Sequence, residues 1–272
     1  MEQLVIDALK AGFGSARKFN EQALGIELSE FKHGGIGIEY VATVKAAEKL
    51  FSFDKVVIVE KQYKHLRKAI CCSLAFNTKM KNLGASNREK RNAELKRLRE
   101  VADEYTFGDG DLQRVDIAVL DKDGRMPQAI VEIKIHNGSY GRYKKDVQRI
   151  AKIVQMYSDF VDGQHHDFIG FAAIYTEKAG ASFAPNSTSP NSFRDEVETI
   201  KKDVAKQYPL LAIEIVQICC DKEPIKTETF EEEEVLTRDE MGFLALAIVV
   251  SAPPPTSASS GSPAEQAVAH KG

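Results

Sequence analysis

The sequence predicts a three-layer α/β protein: a central mixed β-sheet flanked by helices, with a helical insertion. Three observations lead there. Apolar runs of strand length recur at 55–60, 115–120, 129–135, 168–175 and 210–219. Segments of helical periodicity alternate with them, in the order helix, strand, hairpin, helix, strand, helix, strand. The 272 residues, 43% of them hydrophobic, are enough for one large core with additions.

Residues 2–10 and 15–24 read as two short helices closed by Gly12 and Gly25, the second capped by Ser15, in an N-terminal helical segment spanning 1–35. The glycine-dense His33 to Gly37 leads into a helix over 38–51, with Ile38, Val41, Ala42 and Leu50 near one stripe. No GKS or GKT follows those glycines, so they do not form a P-loop, and tight packing at the helix start is the stronger reading. Lys55 to Glu60, KVVIVE, is a continuous apolar run of the kind buried on both faces.

Residues 62–112 form an insertion, longer than a core connection needs, with helices at 63–77 (Leu66, Ile70, Leu74) and after Ser86 or Asn87 (Leu95, Leu98, Ala102). Its charge is lopsided. From Lys61 to Arg99 there are twelve Lys or Arg against Glu89 and Glu94, a local balance of +10 in a chain of net charge -3. Pairs such as Lys90 with Glu94 or Lys96 with Glu100 can absorb only part of this. Lys90, Arg91, Lys96 and Arg97 are therefore candidate contacts to nucleic-acid phosphates.

Arg114 to Ile135, RVDIAVLDKDGRMPQAIVEIKI, is two apolar runs around DKDG, which predicts an antiparallel hairpin turning about Gly124. Alternation puts Glu132 and Lys134 on one strand face and Val131, Ile133 and Ile135 on the other. In a register symmetric about Gly124, Asp116 lies opposite Glu132, with Cβ atoms roughly 4.5–5.5 Å apart. Like charges so placed destabilise a sheet unless something offsets them, and a divalent cation would. Two carboxylates and an ammonium on an otherwise apolar hairpin are what metal-dependent phosphodiester hydrolysis needs. The acids hold Mg2+ or Mn2+ and the lysine orients water or neutralises developing charge. A solvated hairpin face could carry the same residue types, but here the charges interrupt apolar strands.

The pattern Asp116, then Glu132 and Lys134 as D-x15-E-x-K, resembles the signature of the PD-(D/E)XK nuclease superfamily, with Val115 where the family usually has proline. That resemblance implies a restriction-endonuclease-like core over 36–220 and a metal held by Asp116, Glu132 and the carbonyl of Ile133, with Lys134 assisting the attacking water. It also implies an acidic residue on the helix before the sheet, and Glu39 fits; a carboxylate in a first helical turn is equally favoured by the helix dipole. The helix after the E-x-K strand often contributes a polar or basic residue. Gln148 fits by type, and Lys144 or Arg149 could meet phosphates; an exposed helix face accounts for each equally well. The expected activity is a Mg2+-dependent nuclease acting on DNA rather than RNA. The alternative is a protein of this fold that binds nucleic acid or regulates a partner without turnover. A homodimer would suit double-strand cutting.

After the hairpin, His136 shares the face of Glu132 and Lys134 and is a secondary candidate. Residues 143–161 form an amphipathic helix, 168–175 a buried strand, 176–191 a loop, 192–207 a helix and 210–219 the last strand of the core. Residues 221–250 are an acidic segment and a helix: Asp221 to Glu240 hold nine acids against Lys222, Lys226 and Arg238, a balance of -6, and Thr237 with Glu240 reads as a capping box for a helix bearing Met241, Leu244, Ala245 and Ile248. Residues 251–272 have the composition of a disordered tail. Cys71–Cys72 and Cys219–Cys220 lack zinc-site spacing and read as buried thiols. The start, MEQLVIDALKAGFG, predicts no secretory signal, and no apolar run reaches the roughly 20 residues of a membrane span, so a cytoplasmic location is expected.

Overall fold

Small side chains set how the first two helices meet. In the computed structural model, which describes residues 1–23, 35–74, 88–105, 113–124, 126–136, 140–160, 167–179, 192–220, 229–230, 233–234 and 241–252, α1 spans Glu2–Ala23 and α2 spans Gly35–Phe51. Val5, Leu9, Phe13 and Ala16 form the buried stripe of α1, against Ala42, Ala46 and Leu50 of α2. A Cβ on Gly12 would lie 2.5 Å from the Ala42 carbonyl oxygen, so only glycine lets the helices approach this closely. The two short helices expected over 2–24 are thus one. Gly12 marks a helix contact rather than a helix end, and the roughly 1 kcal/mol that a glycine costs inside a helix is offset by packing. Gly25 lies outside the described residues.

The remaining elements are β1 (Val56–Gln62), α3 (Tyr63–Leu74), α4 (Arg88–Glu104), β2 (Arg114–Leu120), β3 (Pro127–Ile135), α5 (Tyr140–Phe160), β4 (Ile169–Ala179), α6 (Ser192–Gln207), β5 (Ala212–Cys220), the two-residue strands β6 (Thr229–Phe230) and β7 (Glu233–Glu234), and β8 (Met241–Ser251). Six strands form one mixed sheet in the order β1-β2-β3-β4-β8-β5, in which only β3 and β4 run parallel, joined by the α5 crossover. One face packs on α1 and α2, the other on α3, α5 and α6. The three-layer α/β architecture with a mixed sheet is as the sequence predicts. Phe193, Val197, Ile200 and Val204 anchor α6, and Tyr157 of α5 stacks on Phe168 at 4.7 Å.

The hairpin has the expected register. Ile117 faces Val131, Ala118 faces Ile130 and Val119 faces Ala129, all symmetric about Gly124, which adopts φ 67° in the turn.

Three expectations are corrected. Residues 241–251 form a strand, not a capped helix: β8 lies between β4 and β5, where a continuous apolar run is buried on both faces and helical spacing in Leu244 and Ile248 is coincidental. The sheet therefore draws on residues beyond 220. β1 is an edge strand, half-buried, rather than a strand buried on both faces; an apolar run does not tell a strand whether it has one neighbour or two. β4 continues to Ala179 instead of yielding to a loop at 176. The rest of that loop, most of the acidic segment and the tail beyond Ala252 lie outside the described residues. Among the described residues no helix is long and apolar enough to cross a membrane.

Gly12 and Gly14 make a matched pair, because a Cβ on Gly14 meets nothing within 4 Å. Gly14→Ala should stabilise the protein by about 1 kcal/mol, whereas Gly12→Ala should destabilise it by roughly 1–3 kcal/mol through overpacking. Thermal denaturation of the two variants checks this; equal stabilisation by both would show that α1 and α2 are not in close contact.

Candidate active site

Lys134 stands near the end of β3, and four oxygens surround its ammonium. Nζ lies 2.8 Å from the carbonyl oxygen of Ile133, 2.9 Å from Glu39 Oε1, 3.1 Å from Asp116 Oδ2 and 3.5 Å from Glu132 Oε2. The hairpin register supplies two of these: continuing it by one residue past Ile117 and Val131 sets Asp116 across from Glu132. The backbone N–H of Ile133 donates to Asp116 Oδ2 at 2.6 Å, which fixes that carboxylate against β3. Glu39 arrives from the opposite helix layer, early in α2, so the cluster is closed from both sides of the sheet.

Burial makes these charges interdependent. Glu132 is 2% exposed, and the Lys134 side chain 12%. Burial, reinforced by the negative charge of Asp116, pushes the Glu132 carboxyl up to about 8, against the smaller opposing effects of Lys134, the Tyr63 hydroxyl and Arg149. Burial, the largest single influence on Lys134, pulls its pKa down, yet Glu132, Asp116 and Glu39 together outweigh it and hold the ammonium charged well above the usual lysine range. Tyr63, fully buried at the start of α3, donates to Glu132 Oε1 at 2.7 Å. Burial and the neighbouring Glu132 keep its phenol far above its ordinary pKa, so it serves as a donor.

Beside the cluster opens a cavity of about 450 Å³. Glu132 and Lys134 line it, with Glu60 from β1, Gln113 and Arg114 at the start of β2, and Arg142, Lys145, Asp146 and Arg149 from α5. Glu60 has φ 59°, a left-handed conformation uncommon for a non-glycine residue and of the kind that collects at functional sites. It pairs with Arg114 at 3.6 Å. Arg149 pairs with the buried Asp146, and its guanidinium lies over the Tyr63 ring at 5.7 Å.

The structure thus brings together Asp116, Glu132, Ile133, Lys134 and Glu39, with Arg149 at the cavity. Other candidates fall elsewhere. Gln148 is not among the residues lining the cavity; it donates to Gln207 of α6 at 2.8 Å. Lys144 pairs with Asp203 of α6 at 2.6 Å. His136 bonds Glu196 of α6 at 2.8 Å, packs on Phe193 and Tyr143, and ties the end of β3 to α6. Lys90, Lys96 and Arg97 are exposed on α4, and among the described residues that line the cavity none comes from α4; Arg91 belongs to α4, and its side chain lies outside the described residues. Sequence reasoning missed Tyr63, Asp146, Arg142 and Lys145. The three α5 residues share the i, i+3, i+4 spacing of one helix face, a signal the apolar stripe overshadowed; Tyr63 reads simply as core.

A hard, all-oxygen donor set of carboxylates and a carbonyl suits Mg2+ or Mn2+. Among the described residues no three His, Cys, Asp or Glu side chains stand grouped as metal ligands on their own. The carboxylates converge on the Lys134 ammonium, so a metal at that point would compete with it for the same oxygens. Compared with protein-family models, curated proteins and solved structures, the chain matches none.

The raised Glu132 pKa has a consequence for stability. Below about pH 4.5 the carboxyl is protonated folded or unfolded; between 4.5 and about 8 only the native state keeps the proton, so stability falls as pH rises through that window and levels off above it. Glu132→Gln removes this titration. Denaturation midpoints from acid to mildly alkaline pH should decline less steeply in the variant than in the native protein, and identical slopes would contradict the assignment.

Proposed function

We propose that this protein is a metal-dependent nuclease of the PD-(D/E)XK type with a restriction-endonuclease-like core, hydrolysing phosphodiester bonds in DNA. The observation that carries the reading is the convergence of Asp116 Oδ2, Glu132 Oε2, Glu39 Oε1 and the Ile133 carbonyl on one point beside a basic cavity. Those oxygens would hold Mg2+ or Mn2+, which when bound polarises the phosphate and lowers the pKa of water. Tyr63 and the Ile133 N–H hold the Glu132 and Asp116 carboxylates in place. Lys134, released from the oxygens it now contacts, stays on the same strand beside the reacting phosphate to orient water and neutralise charge. The cations of α4, Lys90, Arg91, Lys96 and Arg97, supply a field that attracts a polyanion without reading its sequence.

A second reading has its own observation. An ammonium held by four oxygens is a self-satisfied cluster, as expected of a protein that keeps this arrangement to bind nucleic acid without cutting it.

Incubating the purified protein with linear, circular and single-stranded DNA and with RNA, with Mg2+ or Mn2+ and with chelator, separates the two. Cleavage should need metal and fall by at least about a hundredfold in Asp116→Asn and Lys134→Met, with binding retained. Removing one partner of a buried ion cluster costs roughly 3–5 kcal/mol, so circular dichroism must show both variants folded. Salt-dependent binding with no metal-dependent cleavage of any polymer would favour the second reading.

A further inference from the structure

Five cations and three carboxylates line the cavity. Glu60 is paired with Arg114, Asp146 with Arg149, and Lys134 is held by Glu39, Asp116 and Glu132. That leaves Arg142 and Lys145, both exposed, both lining the cavity and neither with an ion-pair or hydrogen-bond partner among the described residues. They are three residues apart on α5, one turn, and Arg149 follows one turn after Lys145. The three therefore run as a stripe along one side of the helix and share the cavity with Glu132 and Lys134.

The stripe has the dimensions of a strand contact. Arg142 to Arg149 covers seven residues, about 10.5 Å of helix. Long Arg and Lys side chains spread over that length can each meet a different phosphate of one strand. Among the described residues no aromatic side chain lines the cavity, and the charged lining favours the backbone over stacked bases.

We propose that Arg142 and Lys145 form a phosphate track, continued by Arg149, that lays a polynucleotide strand along α5 and delivers a phosphodiester to Lys134 and its carboxylates. This rests on the nuclease reading for the identity of the polymer and adds where the polymer lies: on α5, rather than primarily on α4, whose six cations are offset by five acids. Lys144, one position away, turns to Asp203 and takes no part.

Equilibrium binding of duplex and single-stranded oligonucleotides, measured in chelator over a range of salt, tests the track. Neutralising one cation that meets a phosphate reduces the slope of log K against log salt by about 0.9 for duplex and 0.7 for single strands. The double variant Arg142→Gln/Lys145→Gln should therefore lose about 1.8 or about 1.4 from the slope while keeping its thermal midpoint, since both side chains are exposed. Lys90→Gln/Lys96→Gln on α4 should lose less. An unchanged slope in the α5 variant, in a protein that still binds or cuts DNA, overturns the track and leaves the nuclease reading standing. A larger loss from the α4 pair than from the α5 pair also overturns it. A native protein that neither binds nor cuts any polynucleotide overturns both.

Discussion

An ammonium ringed by carboxylates inside a protein holds only while both sides of the ring are kept in place, and much of this architecture does that for Lys134. The hairpin brings Asp116 beside β3, the Ile133 N–H pins it there, Tyr63 holds the far oxygen of Glu132, and α2 reaches over the sheet with Glu39. Desolvation works against Lys134 and most plainly against Glu132, whose carboxyl is driven up to about 8. The arrangement survives because the charges offset one another and because their hydrogen bonds are satisfied. Such a cluster is weak evidence for stability, since apolar side chains of similar volume often serve as well. In the proposed nuclease it is the site of the chemistry.

Its surroundings bear on that chemistry. The chain as a whole is slightly acidic, yet the cavity beside Lys134 is lined by five cations against three carboxylates, and α4 exposes Lys90, Lys96, Arg97 and Arg99. Acids gathered at one point with bases arrayed beside them support the proposed reading, in which the substrate is anionic and reacts at a phosphate. The close approach of α1 to α2 through Gly12 matters to the same end, because it sets the helix layer from which Glu39 arrives.

The hairpin is legible in the sequence because two strong local signals agree there. A period of two fixes the faces, and a glycine able to take φ 67° fixes the turn, so the Asp116–Glu132 register follows by counting. The amphipathic helices α5 and α6 are legible from their apolar periodicity in the same way. What sequence does not show depends on neighbours. β8 reads as helical because Leu244 and Ile248 fit either period, and only its place between two strands decides. Gly12 reads as a stop because a glycine's local meaning is a break, whereas its meaning here is a contact. Tyr63 and Asp146 are distant in sequence from Glu132 and Lys134, and their part exists only once α3 and α5 pack on the sheet. Gln148 fits by residue type alone, and one position on the helix separates it from Arg149, which does face the cavity.

In the proposed nuclease one point is a cation site shared between the protein's own lysine and a metal. Calorimetric titration of Mn2+ into the native protein and into folded Lys134→Met tests it without any substrate. Competition for common oxygens predicts that both bind one ion and that the variant, lacking the ammonium, binds it at least about tenfold tighter, about 1.4 kcal/mol. No binding by either protein, or no gain on removing Lys134, would mean that the four oxygens serve the lysine alone.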